Sequence, residues 1–489
     1  MDVKKRYLVV MVILAMVFGS ILTYVGVEVF NIGQASNNDE EQSLISTDED
    51  KQKVLEEQNE FNGFAKVVQA YNIIEKNYFE DVEQSKLVEG AIQGMLDTLE
   101  DPHSVYMNKE MVEQFNQSIE SSFEGIGAEV SMEDGQVTIV APIKGSPAED
   151  AGLRPKDKIL EVDGESLEGL DLNTAVSKIR GEKGTEVELT ILRAGSSDPV
   201  TVPVVRDEIP VETIYPEVKT VDGKKTGIIQ ITSFSQNTAD EFNEALADLE
   251  EQGIEGLIID VRGNPGGLFT SVEKILENFI PEDQPYVMIQ EKNGEKIRYY
   301  SGTKEKKEYP IAVLTNQGSA SASEILAAAM KEAGYPVIGQ TTYGKGTVQK
   351  TIQMGDGSNI KITIYRWLTP DGKWINEKGV KPTMEVEQPE FFYTSPVEVE
   401  EPFEYNMNDE KIANVQKMLE GIGYDPGRTD GYFSKQTEEA VQAFQQENDL
   451  NATGVINEET GQKLQQKVID AVRNQKNDKQ LQEALNELY

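Results

Sequence analysis

Two short segments carry residues able to do covalent chemistry. The first, Asn316-Gln317-Gly318-Ser319-Ala320-Ser321-Ala322-Ser323-Glu324, alternates three serines with small residues ahead of an apolar helical run. A serine that opens a helix sits where free N–H groups and the positive end of the dipole stabilise an alkoxide or a tetrahedral oxyanion. That position is also the ordinary place for an N-cap, so the local sequence leaves Ser321 in competition with capping and with Ser319 and Ser323. The second segment is Thr342-Tyr343-Gly344-Lys345-Gly346-Thr347-Val348-Gln349. An attacking serine needs a base, and the chain holds one histidine, His103, and no cysteine. A Ser-His-Asp arrangement must use His103 or nothing, and neither a thiolate nor an H-E-x-x-H zinc site can be built. His103 follows Asp101-Pro102 at a helix break and reads as a loop or surface imidazole. Lysine is the remaining strong base. Its ordinary pKa near 10.4 leaves only about one in a few thousand neutral at pH 7, so burial must lower it to roughly 7 to 8. Glycines on both sides let the backbone aim the Lys345 amine at a neighbouring loop, and no acidic residue lies within ten positions before it or five after it. Gln349 lies ~13 Å along a straight strand from Lys345, so the segment must bend or the two must meet through substrate or water. No metal or cofactor is called for.

The elements around these segments alternate strand and helix. Gly227 to Ile231, a helix from Thr238, Gly256 to Val261, a helix after Gly267, Ile311 to Leu314, a helix from about Ser321 to Ala333, and Val337 to Gly339 predict an α/β layer. Sites in such layers gather at the carboxyl ends of strands. Two glycine-rich loops after strands qualify, Arg262-Gly263-Asn264-Pro265-Gly266-Gly267 and the serine segment from Asn316 to Glu324.

At 489 residues the chain should form three or four domains. A basic start, Lys4-Lys5-Arg6, precedes an apolar run from Tyr7 to Val29, and an acidic stretch follows. About 22 helical residues span ~33 Å, enough for a bilayer core. The charge asymmetry predicts a single-pass signal anchor over 7–29, with everything after residue 30 outside. Residues 31–60 read as a flexible linker and 61–114 as an amphipathic helical region. The 86 acidic against 46 basic residues, a net charge of -40, argue against nucleic acid as a partner.

Strand alternation over Val137 to Val140 and Val187 to Leu192 brackets Gly145-Ser146-Pro147-Ala148 and Asp157 to Gly164. In that order they resemble a PDZ domain over 115–205. Such domains add an extended C-terminal tail to a sheet edge, and here Gly125, Ile126 and Gly127 would supply the carboxylate-binding amides. An acidic, proline-containing linker at 391–405 leads to Ile412 to Leu419, Gly431 to Ser434, Thr437 to Gln446 and Thr453 to Ile456. These resemble the small three-helix peptidoglycan-binding domain, over 406–470. Residues 471–489 read as a polar, charged helical tail.

With the PDZ frame before them, Ser-Ala-Ser-Ala-Ser-Glu and Gly-Lys-Gly-Thr-Val-Gln resemble the carboxyl-terminal processing, or tail-specific, serine proteases. That resemblance implies a ClpP/crotonase-like protease core over 206–390. Ser321 would be the nucleophile, Lys345 the general base and Gln349 its orienting partner. The oxyanion hole maps onto the N–H groups of Ala322 and of Gly266 or Gly267, with Gly267 preferred. The resemblance implies protein or peptide substrates with free C-termini, and homodimers made through the helical N-terminal region. The expected protein is a membrane-anchored endopeptidase of multidomain α/β and α+β build, working outside the cytoplasmic membrane near the cell wall. The alternative is a catalytically inactive scaffold that binds tails and wall glycan.

Overall fold

The computed structural model describes residues 64–489 except 120–121, 134, 144, 194–197, 301–305, 398 and 400. The expected anchor (7–29) and linker (31–60) lie outside the described residues. Among those described, no helix is long and apolar enough to cross a membrane. The chain divides into one unit ending at Ala91 and a second from Ile92 to Tyr489. In the first, helix α1 covers 64–77 and α2 (Gln84–Asp97) begins. Phe64, Val67, Val68, Ile74 and Tyr78 are exposed there, and Phe79 is 98% exposed.

The second unit begins with strand β1 (Val105–Met107) and helix α3 (Lys109–Ile119). Next come β2 (Ser122–Gly125), β3 (Ala128–Glu133), β4 (Gln136–Pro142), the short α4 (Pro147–Asp150), β5 (Lys158–Val162), β6 (Glu165–Ser166), α5 (Leu172–Ile179), β7 (Glu186–Leu192) and β8 (Val200–Val205). Strands β3 to β8 form one antiparallel sheet with β3 at its edge. The side chains of Val187, Leu189 and Ile191 alternate inward and join Ile139 and Ile159 in a closed core. Capping sets the helix starts: Ser146 accepts from Glu149 N–H ahead of Pro147, and Asp171 accepts from Thr174 N–H. Strand β9 (Asp207–Pro210) pairs with β2, so the chain enters and leaves this domain side by side.

A six-stranded sheet follows, in the order β10 (Ile214–Val221), β11 (Lys224–Ile231), β12 (Gly256–Asp260), β15 (Ile311–Thr315), β16 (Val337–Gly339) and β19 (Met384–Glu385). All neighbours after β10 and β11 run parallel. Helices α6 (Thr238–Glu251), α7 (Phe269–Leu276) and α8 (Ala322–Glu332) cover one face through Phe242, Leu246, Ile275, Ile325 and Leu326 against Ile229, Leu257, Ile259 and Val313. A second, five-stranded sheet joins β13 (Pro285–Gln290), β14 (Lys296–Tyr300), β17 (Thr347–Gln353), β18 (Asn359–Leu368) and β1. Periodicity did not predict it, because β14 and β17 are largely exposed and another of its strands comes from the start of the unit.

Strands β12 and β15 are buried along their whole length, so the sheet needs cover on both faces. The second layer is helix α12 (Lys479–Leu488), whose Leu481, Ala484, Leu485 and Leu488 pack on Ile228, Ile258, Ala312, Leu314 and Ile338. The segment read as a polar tail is therefore part of the core: its polar composition hides one apolar stripe. Asp478 caps this helix and, with Asp260, holds the Arg262 guanidinium at 2.8 and 2.7 Å. The three-helix domain of α9 (Glu410–Gly421), α10 (Lys435–Glu447) and α11 (Glu458–Arg473) lies in sequence between β19 and α12. The expected linker at 391–405 is likewise no free tether. Phe391 and Phe403 are buried in that domain's core, and a Cβ at Gly421 would fall 2.3 Å from Phe391 Cβ.

Leu485→Ala should lower the unfolding free energy of the sheet domain by about 3 kcal/mol, read as a drop in the urea midpoint followed through buried Trp367. A change under about 1 kcal/mol would remove α12 from the core.

Candidate active site

Three loops at the carboxyl ends of parallel strands are stitched together by side chains that accept from backbone N–H groups. After β12, the fully buried Asn264 donates through Nδ2 to the Ile231 carbonyl and accepts at Oδ1 from Gly266 N–H, both at 2.8 Å. Its carbonyl accepts from Ala320 N–H at 3.0 Å and from the Ser323 hydroxyl at 2.9 Å. After β15, Asn316 Oδ1 accepts from Gly263 and Gly318 N–H, and a Cβ on Gly318 would meet Gly263 Cα at 2.9 Å. The glycines thus allow the first two loops to pack backbone against backbone.

The three serines separate by environment. Ser319 is buried and donates to the Val261 carbonyl at 2.7 Å; Ser323 is buried and donates to Asn264. Ser321 is partly exposed, immediately before α8, at φ 54° and ψ -110°. A non-glycine residue reaches that conformation only when its surroundings impose it. A Cβ on Gly266 (φ +100°) would lie 2.8 Å from Ser321 Cβ and 2.9 Å from Ala322 N, so that position keeps open the space in front of the helix start. Gly266 N–H is engaged by Asn264, whereas the N–H groups of Gly267 and Ala322 donate to no group among the described residues. Gly267 itself is pressed onto the Phe234 carbonyl, where a Cβ would come within 2.1 Å.

The third loop, following β16, carries Lys345. Its carbonyl accepts from Trp367 Nε1 at 2.7 Å, and its flanking glycines are wedged against the backbone of residues 376–379. Its amide donates to Glu324 Oε2 at 2.8 Å, and that same oxygen accepts from Ser321 N–H at 2.8 Å. The nitrogens of Ser321 and Lys345 are therefore no farther apart than twice that bond length. Glu324 Oε1 accepts from Gly344 N–H at 2.7 Å and from the Thr342 hydroxyl at 2.6 Å. Glu324 stands in the serine motif, yet sequence reasoning gave it no role; its spacing from Ser321, an N-cap with Glu at N3, was the available signal.

Burial, and next the charge of Lys361, push Lys345 below the ordinary lysine range, while Glu324 and Asp101 act in the opposite sense. Acidic residues distant in sequence thus bear on Lys345 through space, although no ion pair to it is formed among the described residues. Burial also lowers Lys361. His103, read as a loop imidazole, is half-buried and pushed below its usual value by burial and then by the charge of Lys345. Its loop is tied down by Ser104 Oγ, which donates to Asp101 Oδ2 and accepts from Thr363 N–H. Thr363 Oγ1 in turn accepts from Gln349 Nε2 at 3.0 Å, and Thr347 Oγ1 accepts from it at 2.9 Å. The pairing of β17 with β18 shifts register between Val348 and Gln349. No hydrogen bond joins Lys345 Nζ to Ser321 or Gln349 among the described residues, and the same residues include no metal-binding cluster.

In the small sheet domain, an apolar groove of about 210 Å³ runs between edge strand β3 and α5, lined by Ile126, Ala128, Val130, Val176 and Ile179. The carbonyls of Ile126 and Gly127 are held by Ala148 and Ile143 N–H, while the N–H groups of Ile126 and Gly127 have no partner among the described residues. Gly127 (φ +76°) is required, since a Cβ there would strike Ser146 Cβ at 2.4 Å. Gly125 pairs with Asp207 at the mouth.

Comparison with known proteins places these domains. Residues 225–386 match peptidase family S41, 138–193 a PDZ domain, 408–464 a putative peptidoglycan binding domain, and 16–111 the N-terminal domain of the activating protease CtpB. The carboxy-terminal processing protease CtpB of Bacillus subtilis is 53% identical over 425 residues, covering 87% of this chain and 88% of that protein. CtpA of the same organism is 41% identical over 430 residues, covering 87% and 90%. Among solved structures, a photosystem II D1 C-terminal processing protease aligns at 26% identity with a TM-score of 0.40, over 66% of this chain and 92% of that one. On the strength of the relatives that align along most of both chains, the chain belongs to the carboxy-terminal processing proteases of serine peptidase family S41.

Proposed function

We propose that Ser321 is the nucleophile and Lys345 the general base of this protease, with Gln349 setting the lysine strand and the N–H groups of Gly267 and Ala322 receiving the oxyanion. The carrying observation is the sorting of the serines: Ser319 and Ser323 are buried on backbone carbonyls, while Ser321 sits partly exposed beside unpartnered amides. As Ser321 Oγ attacks the peptide carbonyl carbon, its proton passes to the neutral Lys345 amine. The tetrahedral oxygen accepts from Gly267 and Ala322, and the resulting ammonium returns the proton to the leaving amine. Water then attacks the acyl-serine by the same path. Serine and lysine close to hydrogen-bond contact when substrate is bound, as apo catalytic bonds commonly do.

Protein or peptide tails add to β3 in the PDZ groove, their carboxylate on the amides of Gly125, Ile126 and Gly127 and their last side chain among Val130, Val176 and Ile179. The protein is held at the cell membrane by residues 7–29, its catalytic part outside and near the wall, where the three-helix domain binds peptidoglycan. Homodimers form through the N-terminal helical region, where exposed apolar side chains are concentrated. No observation favours the inactive-scaffold alternative.

Cleavage of an unstructured protein with an apolar C-terminus should fall at least about 1,000-fold in both Ser321→Ala and Lys345→Ala; either variant retaining its rate overturns the assignment. Gly266→Ala, which pushes a methyl group onto Ser321 and Ala322, should lower kcat at least about 100-fold with the PDZ groove still binding tails. Because Lys345 must be neutral, kcat/KM rises with pH through its depressed pKa. Lys361→Met removes a cation that disfavours the ammonium, raises the Lys345 pKa and shifts the acid limb to higher pH. An unmoved limb would separate Lys361 from the base.

A further inference from the structure

We propose that Glu324 is the positioning residue of the cleavage reaction: by accepting from Ser321 and Lys345 N–H on one oxygen, and from Gly344 N–H and the Thr342 hydroxyl on the other, it fixes nucleophile and base in register. This rests on the assignment of Ser321 and Lys345 above. An N3 glutamate in an ordinary capping box bonds the N-cap amide and stays in water. Glu324 is fully buried, and three of its four donors come from a loop 18 to 21 residues further along the chain.

The chemistry selects a carboxylate. Four donors converge on two oxygens, and of the uncharged side chains of similar size none offers acceptors alone. A glutamine must turn its NH2 toward either Ser321 and Lys345 N–H or Gly344 N–H, and a donor facing a donor opens that joint. Aspartate keeps the charge but is one methylene short of spanning both loops. Among the described residues no lysine or arginine forms an ion pair with Glu324, so the groups in contact with its buried charge are hydrogen-bond donors. Each donor but the Thr342 hydroxyl is backbone, so the carboxylate sets main-chain positions that no side-chain rotamer change can restore. Thr342 is fixed in addition by Val380 N–H, which donates to its hydroxyl at 2.7 Å.

The carboxylate also acts through space. The charged groups that bear on Lys345 are Lys361, Glu324, Asp101 and His103; Glu324 favours its ammonium form and Lys361 opposes it. Removing the Glu324 charge therefore lowers the Lys345 pKa and moves the acid limb of kcat to lower pH, a change that loss of folded protein alone does not produce.

The test compares the full chain with Glu324→Gln, Glu324→Asp and Thr342→Val, beside Ser321→Ala as blank. It measures kcat and KM on a disordered protein with an apolar C-terminus, kcat against pH, and labelling of the serine by a fluorophosphonate. For Glu324→Gln the expected result is kcat and labelling lower by at least about 30-fold, KM within about threefold, and an acid limb at lower pH. Glu324→Asp should lose kcat with the limb in place, and Thr342→Val, which removes one donor and leaves the charge, should lose about three- to tenfold of kcat and keeps the test open should the glutamine variant not fold. Glu324→Gln with kcat within threefold of the parent overturns the proposal. So does a loss that tracks the unfolded fraction with the parent's pH profile, or Thr342→Val at the parental kcat. If Ser321→Ala itself cleaves and labels, the serine assignment beneath has failed instead.

Discussion

A carboxylate surrounded by hydrogen-bond donors inside a parallel α/β core joins the two loops on which this protease depends. Neither loop alone has a reason to adopt its shape: one puts Ser321 at a positive φ, the other places Gly344 at φ +95° against the backbone of residues 377–379. The strained conformation of Ser321 is held within a set of bonds in which Glu324 accepts from Ser321, Gly344 and Lys345 N–H together. Asn264 plays the corresponding part between the glycine loop and the serine loop. Its bond to Gly266 N–H turns that amide away and leaves Gly267 as the open donor. The site is thus assembled by polar side chains bonding to main chain, which fixes positions more tightly than apolar packing alone.

These loops can be held only because the sheet beneath them is rigid. Its central strands are buried on both sides, and the second side is closed by a helix that arrives after the three-helix domain. The three-helix domain is consequently carried between two parts of the protease core rather than hung from its end. Arg262, one residue before the glycine loop, is clamped by Asp260 and by the cap of that closing helix. The closing helix and the glycine loop share this joint.

The proposed lysine chemistry requires an amine that is neutral near its working pH, and the environment of Lys345 moves it in that direction. Burial and Lys361 depress its pKa, while Glu324 and Asp101 prevent an unlimited fall. A strong counter-ion in direct contact would hold the proton, so the nearby carboxylate is instead engaged by backbone donors. Charge is present, but its lone pairs point at amides.

Much of this was legible in the chain. Periodicity located the strands and helices of the parallel core, since a buried strand must read as a continuous apolar run and an amphipathic helix must repeat every three to four residues. The histidine and cysteine counts left lysine as the candidate base, because reactivity depends on residue type before geometry. Glycine placement marked the loops, since Cβ atoms at 266, 267 and 344 would collide with backbone. The packing of the closing helix was missed because a helix with few apolar residues looks like a solvated tail until a partner sheet is known. The antiparallel sheet that carries Gln349 was missed because it gathers strands from distant parts of the chain, Val105 pairing with Lys361 and Met288 with Leu368. Residue types and local spacing thus determined the chemistry available and the elements that bear it. Which serine is accessible, which glycine amide is open, and which acid approaches Lys345 were decided by tertiary contacts, because hydrogen-bond partners and burial depend on distance in space, which chain separation does not encode.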